Sequence, residues 1–323
     1  MRIYLSIICS FFLGSVFGQM TYVVNSTDDT DDGVCDGVHC SIVEAFNANN
    51  SDNVSSNIHF NIPGPGQHTI NLTSGQILEI LEDNSVVDGL TQPGNSPMNG
   101  KIRIISQGGP CIISILSNNT IISGLLLEEN SSLIQVNGSN SIISNNFLGN
   151  SDISVSGAGG FNIDISNNYF YSSKMIHLEA SDVIFSNNII GKDPAGIIKP
   201  VQFGIHSTQF NWQIINNEFW HGYSVLSIDP IGSIIHSNKL FCNSMPSDPA
   251  TIFFKSPPNI TSITPTLISG TGTPGDYVQL YKVVDDDCEN TACQGGLIMD
   301  EVVVDASSNW VSNSSVFLVW GIE

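Results

Sequence analysis

Ile142-Ile143-Ser144-Asn145-Asn146-Phe147, Ile163-Asp164-Ile165-Ser166-Asn167-Asn168-Tyr169, Val183-Ile184-Phe185-Ser186-Asn187-Asn188-Ile189, Gln213-Ile214-Ile215-Asn216-Asn217-Glu218-Phe219 and Ile234-Ile235-His236-Ser237-Asn238-Lys239-Leu240 repeat one short phrase at offsets of 22, 20, 29 and 21 residues. That spacing matches one solenoid coil. Ile121-Ile122-Ser123-Gly124-Leu125 fits one coil earlier, and Ser85-Val86-Val87-Asp88-Gly89-Leu90 fits before a longer insertion. Short β-branched runs alternate with Asn, Gly or Ser and show no helical period, which excludes a βαβ reading.

Asn recurs because a coil of short strands must turn sharply, and Asn tolerates the left-handed backbone region while its amide bonds locally. Stacked coils would set one Asn above the next, about 4.8 Å apart, in an amide ladder. Ile and Val at alternate positions fill the interior. The expectation is a right-handed parallel β-helix of roughly eight coils across residues 51–256, about 40 Å long at that strand spacing.

Composition narrows the function. The 323 residues carry 30 acidic and 9 basic side chains, a formal charge of −21. That argues against nucleic acid or an acidic membrane as partner, because phosphate binding needs Lys and Arg clusters. Residues 1–18 combine a basic start at Arg2, an apolar stretch and a small-residue site at Ser15-Val16-Phe17-Gly18, the pattern of a cleaved signal peptide. The expected location is therefore secreted or cell-surface, with no membrane span. In an oxidising compartment the close pairs Cys35/Cys40 and Cys288/Cys293 read as local disulfides, while Cys111 and Cys242 read as buried thiols.

Residues 19–50 read as an N-terminal lid over the open end of the rod, because uncovered strand edges and core are a liability. Residues 20–25 form its strand, residues 28–36 an acidic loop and residues 40–49 a short helix. Ser41 and Glu44 have capping-box spacing, and Ile42, Ala45 and Phe46 face the core.

Thr21-Tyr22-Val23-Val24-Asn25-Ser26-Thr27-Asp28, Gly33-Val34-Cys35-Asp36 and Cys40-Ser41-Ile42-Val43-Glu44-Ala45 resemble the Cys-Ser-Leu-Arg-Glu-Ala cap motif of many secreted bacterial β-helix proteins, with Val43 where that family has Arg. Asp88-Gly89-Leu90-Thr91-Gln92-Pro93-Gly94 is similar to an Asp-Gly-x-Thr-Gln-Pro-Gly signature of the same proteins. The resemblance implies a pectate-lyase-like solenoid over residues 20–245. Such solenoids include lyases, hydrolases, epimerases, adhesins and inert stalks, so it says little about activity. Beyond Pro257-Pro258-Asn259, the Ser-Gly-Thr-x-x-Pro-Gly turn at residues 269–275, the Cys288/Cys293 loop and Asp305-Ala306-Ser307-Ser308-Asn309-Trp310 resemble an immunoglobulin-like module of Bacteroidetes-type surface proteins. Residues 257–323 are expected to form this small β-sandwich, either cut short at Glu323 or completed by another chain.

Catalysis on such rods uses carboxylates from successive coils, and an inverting hydrolase needs two of them about 6.5–9.5 Å apart. Asp164, Asp182 and Asp229 are the leading candidates, with Glu179 and Asp193 behind them. None stands in a paired-Asp cluster beside Gly-His-Gly. A lyase needs a basic Arg or Lys near acid-bound Ca²⁺, and Arg103 is the one arginine beyond the leader. His177, His206, His221 and His236 are spaced 29, 15 and 15 apart, which stacks no metal column. Trp212, Trp220 and Tyr223, with Phe210 and Phe219, fall in the 29-residue unit and read either as a loop packed on its own coil or as an exposed sugar-stacking loop. Gly157-Ala158-Gly159-Gly160 reads as a loop. Residues 28–33 have the Asp density of a calcium loop but lack the distant Glu, so they read as a solvated turn and no cofactor is expected, with weak Ca²⁺ binding as the alternative. The expected function is structural or adhesive contact with polysaccharide, without catalysis; a polysaccharide lyase or glycoside hydrolase is the alternative.

Overall fold

The computed structural model describes residues 19–106, 108–109, 111–128, 132–149, 152–172, 176–201, 203–207, 210–221, 224–228, 232–241, 245–247, 258–264, 266–282 and 297–313. The leader at 1–18, Tyr223, Asp229, Cys242, Cys288 and Cys293 lie outside the described residues.

The strands wind into a right-handed parallel β-helix with three faces. The first sheet stacks Ser56–Phe60, Val86–Asp88, Ile121–Ser123 and Ile142–Ser144, then the later halves of Asp152–Ser166 and Ile176–Ser186, then Gln213–Ile215 and Ile234–His236. Met20–Val24 extends it at the N-terminal end by pairing with Ser56–Phe60. The second, 8-stranded sheet runs from His68–Leu72 through Ile102–Ser106, Leu125–Glu128, Phe147–Gly149, Tyr169–Tyr171, Ile189–Ile190 and Glu218–Trp220 to Lys239–Phe241. The third stacks Leu78–Ile80, Ile113–Ile115, Ser132–Val136, the earlier halves of the two long strands, Phe203–Ser207, Ser224–Ile228 and Met245–Ser247. Gly157-Ala158-Gly159-Gly160 is thus not a loop. It lies within Asp152–Ser166, where the chain bends from the third face to the first and the register shifts between Ser156 and Phe161.

Alternation puts one residue in two inside. Ile58, Val87, Ile122, Ile143, Ile165, Phe185 and Ile214 form one buried column under the first sheet. Ile104, Leu127, Leu148, Phe170, Ile190 and Phe219 form another under the second. Each such side chain contributes about 1.5–3 kcal/mol by leaving water.

The paired Asn residues divide two tasks between them. The first of each pair takes the left-handed corner: Asn145, Asn167, Asn187 and Asn216 have φ of 58, 59, 55 and 58°. The second points inward and is buried. Asn168 Oδ1 accepts from Asn146 N at 2.9 Å, Asn188 Oδ1 from Asn168 N at 2.9 Å, Asn217 Oδ1 from Asn188 N at 2.8 Å and Asn238 Oδ1 from Asn217 N at 2.9 Å. Each Nδ2 donates to a carbonyl of an adjacent coil, as Asn188 does to Ile165 O at 2.8 Å. A second, exposed left-handed corner, unread in the sequence, joins the third face to the first through Asn84, Asn119, Asn140, Asn162, Asp182 and Asn211. There Asn119 donates to Asn84 at 3.1 Å, Asn162 to Asn140 at 2.8 Å and Asn211 to Asp182 at 3.0 Å.

The helix expected in the N-terminal segment forms as its residues dictate. The helix Ile42–Ser51 carries the reciprocal Ser41/Glu44 capping box and buries Ile42, Val43, Ala45 and Phe46. A disulfide joins Cys35 to Cys40. The Asp88–Gly94 signature is a splice between coils. Gln92 is 2% exposed and pairs with one backbone unit, accepting from Ile62 N at 2.8 Å and donating to Ile62 O at 3.0 Å. Thr91 Oγ1 accepts from Phe60 N at 2.8 Å. A Cβ on Gly89 would stand 2.4 Å from Gly124 O, so only glycine fits the coil contact.

The described residues from 258 onward form an antiparallel unit. Asn259–Thr264, Leu267–Thr271 and Asn309–Ser312 make one sheet and Tyr277–Lys282 with Leu297–Val303 a hairpin, around Ile268, Val278, Val304 and Trp310.

Candidate functional site

The outer side of the second sheet gathers the charged and aromatic residues. In the aligned repeat, the first and third residues after the Asn pair face outward: Phe147 and Gly149, Tyr169 and Tyr171, Ile189 and Gly191, Glu218 and Trp220, Lys239 and Phe241. Every described Lys and Arg of the solenoid lies on or beside this sheet. Arg103 and Lys239 sit on its strands, Lys101 precedes Ile102–Ser106, and Lys192 and Lys199 lie on the segment that follows Ile189–Ile190.

At the centre, Arg103 donates through Nε and Nη2 to Glu128 Oε2, both at 2.7 Å, and the Tyr171 hydroxyl donates to Glu128 Oε1 at 2.9 Å. Tyr171 reaches Glu128 across the rung between them because Gly149 stands there. A Cβ on Gly149 would lie 2.3 Å from the Tyr171 ring. Burial first, and then the Glu128 charge, push the Tyr171 hydroxyl well above the usual phenol range, so it stays a donor. Residues 191–201 form an excursion beside Tyr171. Lys199 N donates to Gly191 O at 2.8 Å, Ile197 N to Asp193 Oδ1 at 2.9 Å, and Lys199 Nζ lies 3.3 Å from Asp193 Oδ2 and 5.2 Å from the centre of the Tyr171 ring. Lys239 pairs with Glu218 at 2.8 Å.

The residues singled out from sequence are not brought together here. Asp164 lies on the first sheet between Ile142 and Ile184, and Asp182 forms part of the exposed corner ladder, held by Asn211. The register puts Asp182 two positions upstream of the rung that carries Asp164, on the next coil, so the two positions lie roughly 8 Å apart at the backbone by strand rise and spacing. Trp212 is not an exposed sugar platform. Pairing of Ile184 with Gln213 sets Trp212 level with Val183, an inward position, and it is 0% exposed. Trp220 is on the outer face, but both sides of its ring are taken. Lys192 Nζ sits 3.4 Å from its centre, and Phe241 stacks at 3.8 Å and 13°. The extra residues of the longest repeat form the 191–201 excursion, not an aromatic loop. Glu128, Tyr171, Lys192 and Lys199 were missed, although aligning the residues after each Asn pair was enough to find the outward column.

A second polar cluster lies in the lid. Most Asp side chains of the acidic loop turn back on their own backbone: Asp28 accepts from Thr30 N at 3.0 Å, Asp31 from Gly33 N at 2.9 Å and Asp32 from Val34 N at 3.1 Å. Glu44 gathers the loop instead. Its Oε1 accepts from Asp32 N at 2.8 Å and its Oε2 from Ser41 N at 2.7 Å. His39 lies between acids, with Nε2 3.1 Å from Asp28 Oδ1 and Nδ1 3.1 Å from Glu44 Oε2 and 3.9 Å from Asp32 Oδ2. The Asp28 hydrogen bond, with the surrounding carboxylate charge, raises the His39 pKa. The Ser26 hydroxyl is the main cause that holds Asp28 down at about 2.

Comparison with protein-family models and with curated proteins found no match. Among solved structures, the chain is similar to the pectin methylesterase from Aspergillus niger, at 13% identity over 71% of this chain and 77% of that one, with a TM-score of 0.42. It is also similar to the pectate lyase Pel9A, at 12% identity over 76% of this chain and 83% of that one, with a TM-score of 0.34. At such identities the likeness concerns the fold alone. Among the described residues, no helix is long and apolar enough to cross a membrane.

Proposed function

We propose that this chain is an exported, non-catalytic β-helix that contacts acidic polysaccharide along the outer side of its second sheet. The observation that carries the reading is the segregation of charge. In a chain of formal charge −21, Lys101, Arg103, Lys192, Lys199 and Lys239 all lie on or beside one sheet, where Arg103, Lys199 and Lys239 are ion-paired with Glu128, Asp193 and Glu218. A uronate polymer would be repelled by most of the surface, and a parallel sheet repeats its contacts every 4.8 Å or so, a spacing suited to a linear ligand. The export component rests on the leader at residues 1–18. The antiparallel unit after residue 258, read as an immunoglobulin-like module, suits a protein displayed at a surface.

Catalysis is the alternative. Glu128 is engaged by Arg103 and Tyr171, Asp193 by Lys199 and Asp182 by Asn211, while Asp164 Oδ1 is buried without a hydrogen-bond partner. The test is co-sedimentation with insoluble polygalacturonate and with a neutral glucan, followed by a product assay on the soluble polymers. Binding to polygalacturonate alone is expected, weakened by salt and by Lys192→Gln with Lys199→Gln. Equal retention on the neutral glucan would refute the charge argument. Sustained release of reducing ends or unsaturated uronate would replace it with the hydrolase or lyase reading.

A further inference from the structure

We propose that Asp32, His39 and Glu44 form a site for a transition-metal ion of the Zn²⁺ class, which fastens the acidic loop of the lid to its helix. One donor atom from each residue lies within 4.8 Å of the other two. His39 Nδ1 is the informative atom. It is buried and has no aligned hydrogen-bond partner, although Glu44 Oε2 is only 3.1 Å away. At metal–ligand distances of about 2.0–2.1 Å, two donors so separated subtend roughly 100°, between the tetrahedral and octahedral angles. Asp32 Oδ2 is 3.9 Å from Nδ1 on a side chain that is 59% exposed, so a small rotation brings it into range.

The surroundings fit the same assignment. Asp28 Oδ1 holds Nε2 at 3.1 Å, which directs Nδ1 at the two carboxylates, as an outer carboxylate commonly orients a metal-bound histidine. The Glu44 carboxylate is fixed by Asp32 N and Ser41 N and is 1% exposed, so its position needs no ordering on binding. The Cys35–Cys40 disulfide closes the segment that carries His39. An imidazole nitrogen among oxygens favours Zn²⁺, Co²⁺ or Ni²⁺ over Ca²⁺ and Mg²⁺, which take oxygen sets.

The test uses tag-free, disulfide-intact protein at neutral pH. Co²⁺ is titrated by its visible absorption, and Zn²⁺ is then added in competition. One equivalent is expected to bind, Zn²⁺ should displace Co²⁺, and millimolar Ca²⁺ should not. His39→Gln should abolish the spectrum, and Asp32→Asn, an exposed change that leaves the capping box intact, should weaken binding by about tenfold or more. Far-UV dichroism checks that each variant is folded. An unchanged spectrum in both variants, displacement by Ca²⁺, or no saturable binding would each overturn the assignment. If His39→Gln does not fold, the Asp32→Asn titration decides alone.

Discussion

Replacing Asn188 by Ala tests whether the inner amides hold the coils together. Asn188 Oδ1 accepts from Asn168 N at 2.9 Å and Asn168 Nδ2 at 3.1 Å, and its Nδ2 donates to Ile165 O at 2.8 Å and Asn217 Oδ1 at 3.1 Å. Alanine leaves the Asn168 N–H buried without a partner, at a cost of about 1–3 kcal/mol. The lost bond to Ile165 O adds about 0.5–1.5 kcal/mol. Asn217 Oδ1 still accepts from residue 188 N, and Asn168 Nδ2 still donates to Ile143 O at 2.8 Å, so those atoms add little. The space left by the amide brings the total to roughly 3–5 kcal/mol. The control is its neighbour. Asn187 has φ of 55° and an exposed side chain with only a 3.5 Å bond to Ser186, so Asn187→Gly should change stability by less than about 1 kcal/mol. Urea unfolding, followed by fluorescence and far-UV dichroism, gives both values from midpoint shifts at constant slope. Equal costs for the two variants, or a cost below about 1.5 kcal/mol for Asn188→Ala, would show that the ladder is incidental to stability.

Gln92→Ala should cost about 2–4 kcal/mol in the same assay, because it strips both partners from a buried backbone unit at Ile62. Gly149→Ala should cost about 1–3 kcal/mol by driving Tyr171 off Glu128, and Tyr171→Phe should then cost less in that background than alone. Cys111 is buried and its thiol is pushed up to about 11, by burial first and the Glu79 charge second. Alkylation of the Cys111 peptide at pH 8 should therefore run at least about tenfold slower in native than in urea-unfolded protein. The stability contributed by the neutral thiol is complete below its ordinary value of 9.0 and declines as pH rises toward 11, because the unfolded chain ionises first. A native rate close to the unfolded one would place Cys111 at the surface.

The sequence alone determined the winding. Its repeat length follows from three short strands and their corners, its Asn pairs from a left-handed turn that few residues tolerate, and its lid from a capping box and a close cysteine pair. All of these are local demands of the backbone, met by neighbouring residues, and so they are written in short stretches. What the sequence did not announce depends on partners some twenty residues away. The two members of each Asn pair look alike in the chain, and only the coil above makes one a corner and the other a buried rung. Trp212 reads as a surface aromatic until pairing with the preceding coil turns it inward beside Val183. Arg103, Lys192, Lys199 and Lys239 are scattered in order and come to lie on or beside one sheet only after the coils stack. His39 meets Asp28, Asp32 and Glu44 for a similar reason, since the fold of the loop against its helix sets which charges face each other.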